Sequence, residues 1–166
     1  MSDLQIIAAF GGFLALLLAL LLLTRSKPAA PPELPEGAIL VDGSNVMHWG
    51  GEPSLAVLRD VIVSLEEQGQ VPFVCFDANV GYKLFGAFTG SGAMAGRLGL
   101  PAEQVLVVDK GVTADDVILN LAREHDVQIV SNDRFRDWED RFPQVKDPGR
   151  FRRGSWKGGA VRWRAG

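Results

Sequence analysis

Four short apolar runs, each leading into an acid, constrain this chain more than any other feature. Residues 38–41 (AILV) run into Asp42, Val71–Phe76 into Asp77, 105–108 into Asp109, and 127–130 into Ser131, Asn132 and Asp133. Runs of that length, interrupted only by Gln128, suit strands covered on both faces, the habit of parallel sheets. Helical patterns separate them. Residues 53–68 carry apolar side chains at 55, 58, 62 and 65 and stop at Gly69. Residues 113–125 open on Thr-x-x-Asp, a short-acid capping box. The Gly-rich stretch 80–98 reads as a broken helix, and 134–142 as a helix halted before Pro143. Residues 151–153 and 161–164 read as short edge strands. Strand and helix alternate, which predicts an α/β fold with a mostly parallel central sheet. Ligands of such sheets bind beyond the carboxyl ends of the strands, where these acids stand.

The N-terminal part is of another kind. After the short flank 1–3, residues 4–23 hold one polar side chain, Gln5. Twenty residues with that one polar side chain, at about 1.5 Å each, match a hydrocarbon core of about 30 Å. A cleaved signal peptide would have a basic start, a shorter apolar run and a small-residue cleavage site; here the start is acidic and prolines flank Ala29 and Ala30. A core helix apolar all round would need a large protein to surround it. A single transmembrane helix over 4–23 is therefore predicted. Arg25 and Lys27 follow it and no basic residue precedes it, so the C-terminal domain is expected in the cytoplasm, held at the cell membrane by one span. Pro28, Pro31, Pro32 and Pro35 make 24–37 a stiff linker. The lone cysteine, Cys75, excludes an intramolecular disulfide and a Cys-rich zinc site, and its apolar setting predicts a buried thiol.

The acids fall into three groups. Asp42-Gly43-Ser44-Asn45 places a carboxylate at a strand end, a small residue for a tight turn, and an amide able to ligate or donate; an ordinary Asx turn is the structural alternative. Asp115 and Asp116 lie in the first turn of a helix, where acids complement the dipole in any protein. Asp133 and Asp137 would share one face if 134–142 is helical. Hard oxygen donors without soft partners select Mg²⁺ or Mn²⁺ over zinc. Such ions activate water and offset charge in phosphoryl chemistry. His48 and Lys110 lie near strand ends and could touch phosphate. Gly90-x-Gly-x-x-Ala follows no clear strand, so it reads as a closely packed segment and not a nucleotide fingerprint.

Charge is unevenly placed. Of 17 basic and 20 acidic side chains, Arg150, Arg152, Arg153, Lys157, Arg162 and Arg164, and no acid, lie in 148–166. Phe151, Trp156 and Trp163 are interleaved with them, the pattern of a phosphate-and-base surface. A solvated tail and contact with anionic lipid are the alternatives.

Residues 39–46 (ILVDGSNV), Thr113-Ala114-Asp115-Asp116, and 129–133 (IVSND) followed by Asp137 together resemble the three acidic elements of PIN-like ribonucleases of the NYN group, regnase type, in order, spacing and strand context. The resemblance covers 38–142. It implies a three-layer PIN-like fold, with a nuclease domain over 38–147 and a basic aromatic tail over 148–166. It implies a Mg²⁺- or Mn²⁺-dependent endoribonuclease cutting single-stranded RNA by water attack. Asp42, Asp116 and Asp133 would bind metal, supported by Asn45, Asp115 and Asp137, while Asp77 has no counterpart in the pattern and stays an outer candidate. The family's CCCH zinc finger is missing from this sequence, and the tail residues Arg150, Arg152, Arg153, Trp156, Lys157, Arg162, Trp163 and Arg164 are expected to bind RNA instead. A homodimer is compatible with these features. Two rivals stand beside this expectation. One is a non-catalytic module tethering RNA at the membrane. The other is a small-nucleotide phosphohydrolase, against which the absence of D-x-D after the first strand counts.

Overall fold

A computed structural model describes residues 32–164. The proposed membrane helix 4–23 and most of the linker lie outside the described residues. Among the described residues no helix is long and apolar enough to cross a membrane. The compact unit begins at Leu34, which packs against one face of the core, so the end of the proline-rich stretch belongs to the fold.

Strand β1 (Ala38–Asp42) leads into a one-turn helix α1 (Gly43–Val46) and then helix α2 (Leu55–Glu66). Strand β2 (Val71–Phe76) is followed by α3 (Val80–Phe85) and α4 (Ser91–Leu98). Strand β3 (Val105–Val107), helix α5 (Ala114–His125) and strand β4 (Ile129–Val130) complete the alternation. The chain ends in β5 (Phe151–Arg152), β6 (Gly154–Lys157) and β7 (Ala160–Trp163). The main sheet runs β3-β2-β1-β4-β5 with every pairing parallel. From β1 the chain goes first to β2 on one side and only later to β4 on the other. The switch point, where a parallel sheet opens a crevice for ligands, therefore lies between β1 and β4.

Alternation along the strands divides the core in two. Ile39, Val41, Val74 and Phe76 face α1 to α4, with Leu58, Val61, Ile62 and Leu65 of α2 and Met94 and Leu98 of α4 packed on them. Leu40, Phe73 and Cys75 face α5 and the following loops, against Ile118, Leu119, Phe135 and Phe142. The result is three layers with a fully covered sheet. Cys75 is buried, and burial first and then the charge of Asp42 push its thiol pKa far up, so it is inert at neutral pH.

Three expectations need correction. The stretch 134–142 is not one helix. Asp133 Oδ1 accepts from the Phe135 N–H at 2.8 Å, and Phe135 adopts a left-handed backbone (φ +49°) that lets its ring stack on Phe151 at 5.5 Å. Only a 3₁₀ turn, Arg136–Trp138, remains of the helix. Thr113 makes no side-chain cap; the Asp77 carboxylate reaches across instead and accepts from Ala114 N–H at 3.2 Å. The last residues, finally, form short strands as expected near 151–153 and 161–164, but 148–166 is not a tail set apart from the domain. Strand β5 is an edge of the main sheet, and β6 and β7 form a hairpin whose Trp156 and Trp163 donate to Asp60 and Ser64 of α2 at 2.7 and 3.0 Å.

Candidate active site

Four carboxylates converge beyond the carboxyl ends of the central strands. Asp42 ends β1 and is 3% exposed. It is held at both oxygens: Asn45 N–H donates to Oδ1 at 3.0 Å and the Ser131 hydroxyl to Oδ2 at 2.8 Å. Ser131 in turn accepts from Asp133 N–H at 3.0 Å, which ties the β4 end to the β1 end across the switch point. Burial pushes the Asp42 pKa up to about 7; the Ser131 and Asn45 hydrogen bonds oppose this, and repulsion from Asp115 and Asp77 adds to it. Asp115 is also raised, first by burial, with the Trp138 Nε1 donor at 3.3 Å opposing and the charges of Asp133 and Asp77 adding.

Asp42, Asp77, Asp115 and Asp133 therefore share one electrostatic neighbourhood. Among the described residues none of them is paired with a lysine or arginine. The two helix acids go separate ways. Asp115 faces this cluster, whereas Asp116 pairs with Arg141 at 2.9 Å and accepts from Asn120 at 2.9 Å. Asp137 and Asp133 line an open cleft of about 570 Å³ with Asn45, Asn132, Arg134 and Arg136, although they share no helical face.

Asn45 has a defined part. Its Oδ1 accepts from Asn132 N–H and from Trp49 Nε1, both at 3.0 Å. Two N–H donors fix the oxygen's identity and leave the NH₂ as the free group of the amide. Gly43 is required for space and not for a turn dihedral, since a Cβ there would lie 2.3 Å from the Phe76 ring.

The chemistry of the donor set fits a divalent cation: hard carboxylate oxygens, partly desolvated, mutually repelling and without a cationic partner. As they stand, no three acidic, histidine or cysteine side chains among the described residues enclose a metal ion.

A second cleft, about 360 Å³, adjoins the first through Asn132, Arg134 and Arg136. Lys146, Arg153 and Arg164 also line it. Arg153 donates to the carbonyls of Asn132 and Asp133 at 2.8 and 2.9 Å. Burial first, then the charges of Arg134 and Arg164, lower its pKa, with Asp133 opposing. The expected basic surface is thus split. Arg153 and Arg164 join it, Arg134 and Arg136 enter from the loop read as a helix, and Lys146 enters from the 3₁₀ turn Pro143–Lys146 that follows it. Arg150 pairs instead with Asp126, and Arg152 lies 4.2 Å over the Trp163 ring and donates to Gln68 and Gln70. Lys157 and Arg162 are exposed on the hairpin, His48 is exposed beyond α1, and Lys110 lines a recess beyond β3. Sequence patterns do not reveal Trp49 and Trp138, whose indoles hold Asn45 and Asp115, because no local signal marks such donors.

A mostly parallel three-layer sheet with carboxylates massed at its switch point defines a PIN-like nuclease domain. The chain belongs to the Zc3h12a-like ribonuclease NYN domain family, whose profile matches residues 36–153. Two solved structures of nuclear protein-only RNase P 2 from Arabidopsis thaliana share the fold. One has a TM-score of 0.61 at 20% identity over 80% of this chain, the other 0.56 at 18% over 78%. The chain spans 30% and 29% of the length of those two chains. No curated protein matches it by sequence.

Proposed function

We propose that this domain is a divalent-metal-dependent endoribonuclease that hydrolyses phosphodiester bonds of single-stranded RNA. One observation carries the reading: a cluster of unpaired carboxylates at the switch point, opening directly into a cleft of arginines. A polyanion needs both. The arginines draw in phosphate, and the acids would repel it unless a cation lay between them.

Asp42, Asp77, Asp115 and Asp133 would hold the ion, which when bound supplies an activated water and neutralises developing charge. The chain's own residues do the rest. Ser131 and the Asn45 N–H fix the Asp42 carboxylate, so little reorganisation is left for the reaction. The Asn45 NH₂ is available to a phosphate oxygen. Arg134, Arg136 and Arg153 orient the flanking backbone beside the acids.

The apolar run 4–23, followed by Arg25 and Lys27, supports attachment to the cell membrane with this domain in the cytoplasm. Resistance of the full chain to alkaline extraction, with protease access only from the cytoplasmic side, is the expected result.

The test of the activity is incubation of residues 34–166 with end-labelled single-stranded RNA and Mn²⁺. Cleavage is expected, with a loss of at least roughly 100-fold in Asp42→Asn/Asp133→Asn. Activity that survives the double substitution sinks the reading. A second reading, RNA binding without turnover, is favoured by the acids not enclosing an ion as they stand. It predicts metal-independent binding and no product.

A further inference from the structure

Beyond β2 and β3, on the side of the acid cluster away from the arginines, lies a recess of about 450 Å³. Ala78 and Asn79, the residues after Asp77, form one wall, and Val108 and Lys110, just past β3, form another. Tyr82 and Phe88 line it while 59% and 68% exposed, and they are the only aromatic side chains among the exposed large hydrophobics of the described residues. We propose that this recess binds an unpaired nucleobase of the RNA, next to the phosphate held at the acids, by stacking on Tyr82 and Phe88. The proposal rests on the nuclease reading and names the substrate feature that the site selects.

Position is the first argument. Sheet order β3-β2-β1-β4-β5 places three zones in a row along one edge. The apolar recess lies over β3 and β2, the acids over β2, β1 and β4, and the arginine cleft over β4 and β5. A strand of RNA lying across the acids would meet arginines on one side and this recess on the other. Chemistry is the second. A base offers a flat apolar face and a polar edge. The recess offers two aromatic rings and, for the polar edge, an Asn79 amide with no hydrogen bond among the described residues, the Asp109 carboxylate as an acceptor and the Lys110 ammonium as a donor. Rigidity is the third. A Cβ on Gly81 would lie 2.5 Å from both Ala87 O and Thr89 N, so the turn carrying Phe88 is packed tightly onto α3. Such a platform is formed before the ligand arrives.

The full chain is tested with Ca²⁺ in place of Mn²⁺, so that a cation still lies between the acids and the phosphate while binding is read without turnover. The probe is a single-stranded RNA of about ten nucleotides carrying 2-aminopurine, with an abasic version alongside. Wild type is expected to quench the 2-aminopurine emission and to bind the intact probe more tightly than the abasic one. Tyr82→Ala/Phe88→Ala should lose the quenching and bind the intact probe about tenfold more weakly. Its binding of the abasic probe should be unchanged, and Tyr82→Phe should retain wild-type behaviour. An unchanged thermal midpoint shows that both exposed substitutions leave the fold intact. Equal losses with both probes overturn the proposal. So does unchanged affinity, including the case where the double variant instead changes the molecular mass in solution, which would assign the face to a second copy of the chain. If base-dependent binding persists but Mn²⁺ yields no cleavage, the nuclease reading fails and the recess stands.

Discussion

At the scale of the residue, burial is what sets Asp42 apart. An acid whose pKa is higher in the folded chain adds stability while it is protonated. For Asp42 that contribution is whole below about 3.8, declines as pH rises towards about 7, and is gone above it. The difference is on the order of 4 kcal/mol. The metal-free protein should therefore lose stability between pH 5 and pH 7.5 in chemical denaturation, and Asp42→Asn should flatten much of that slope. A slope equal in both proteins would contradict the assignment. A cation selects the ionised form, so Mn²⁺ should raise the thermal midpoint more at pH 8 than at pH 6. Gly43 belongs to the same scale. Gly43→Ala drives a methyl into the Phe76 ring, and a destabilisation of about 1–3 kcal/mol is expected in denaturant titration.

At the scale of the element, the C-terminal hairpin is the part whose role changes most. Read along the sequence, alternating cations and aromatics suggest a surface for RNA. In the fold, Trp163 packs edge-on against Trp49 at 5.9 Å and donates to Ser64, and Trp156 donates to Asp60. Both indoles hold the hairpin to α2 and thereby support the residue that positions Asn45. Trp163→Ala should cost about 2 kcal/mol of stability, while the salt dependence of RNA binding stays as in wild type. Truncation after Asp147 would remove strand β5 from the main sheet, so it should destabilise the domain as well as remove basic residues. The loop after β4 shows the reverse change. Read as a helix, it hides Arg134 and Arg136; as an Asx turn with a left-handed Phe135, it brings them to the acids.

At the scale of the whole molecule, the acidic and basic parts adjoin instead of merely cancelling. Arg134→Ala/Arg136→Ala/Arg164→Ala should weaken RNA binding and lower the slope of log K against log salt by about 0.7 for each phosphate that is no longer neutralised. A slope unchanged by all three substitutions would remove the cleft from the binding surface. The layered architecture was readable because it rests on local periodicity. Runs such as 38–41 and the spacing of residues 55 to 65 need only the chain's own period to declare strand and helix. Strand ends carrying acids also located the site, because a parallel sheet exposes those ends together. Which acids meet was not readable. Asp115 and Asp116 are neighbours in sequence and both open a helix, yet about 100° of helical rotation sends one to the cluster and the other to Arg141.

The sequence by itself determined the class of fold, the edge of the sheet where chemistry gathers, and the family motifs at that edge. Each depends on residues close in the chain. Tertiary structure alone decided that Ser131 holds Asp42, that Asp77 caps α5 from another strand, and that the last two tryptophans face inward, whereas the Asn45 N–H bond to Asp42 is the local turn that the sequence already offered. Most of these interactions join residues far apart in the chain. Burial and hydrogen-bond geometry, which no sequence period encodes, select them from many partners of the same type.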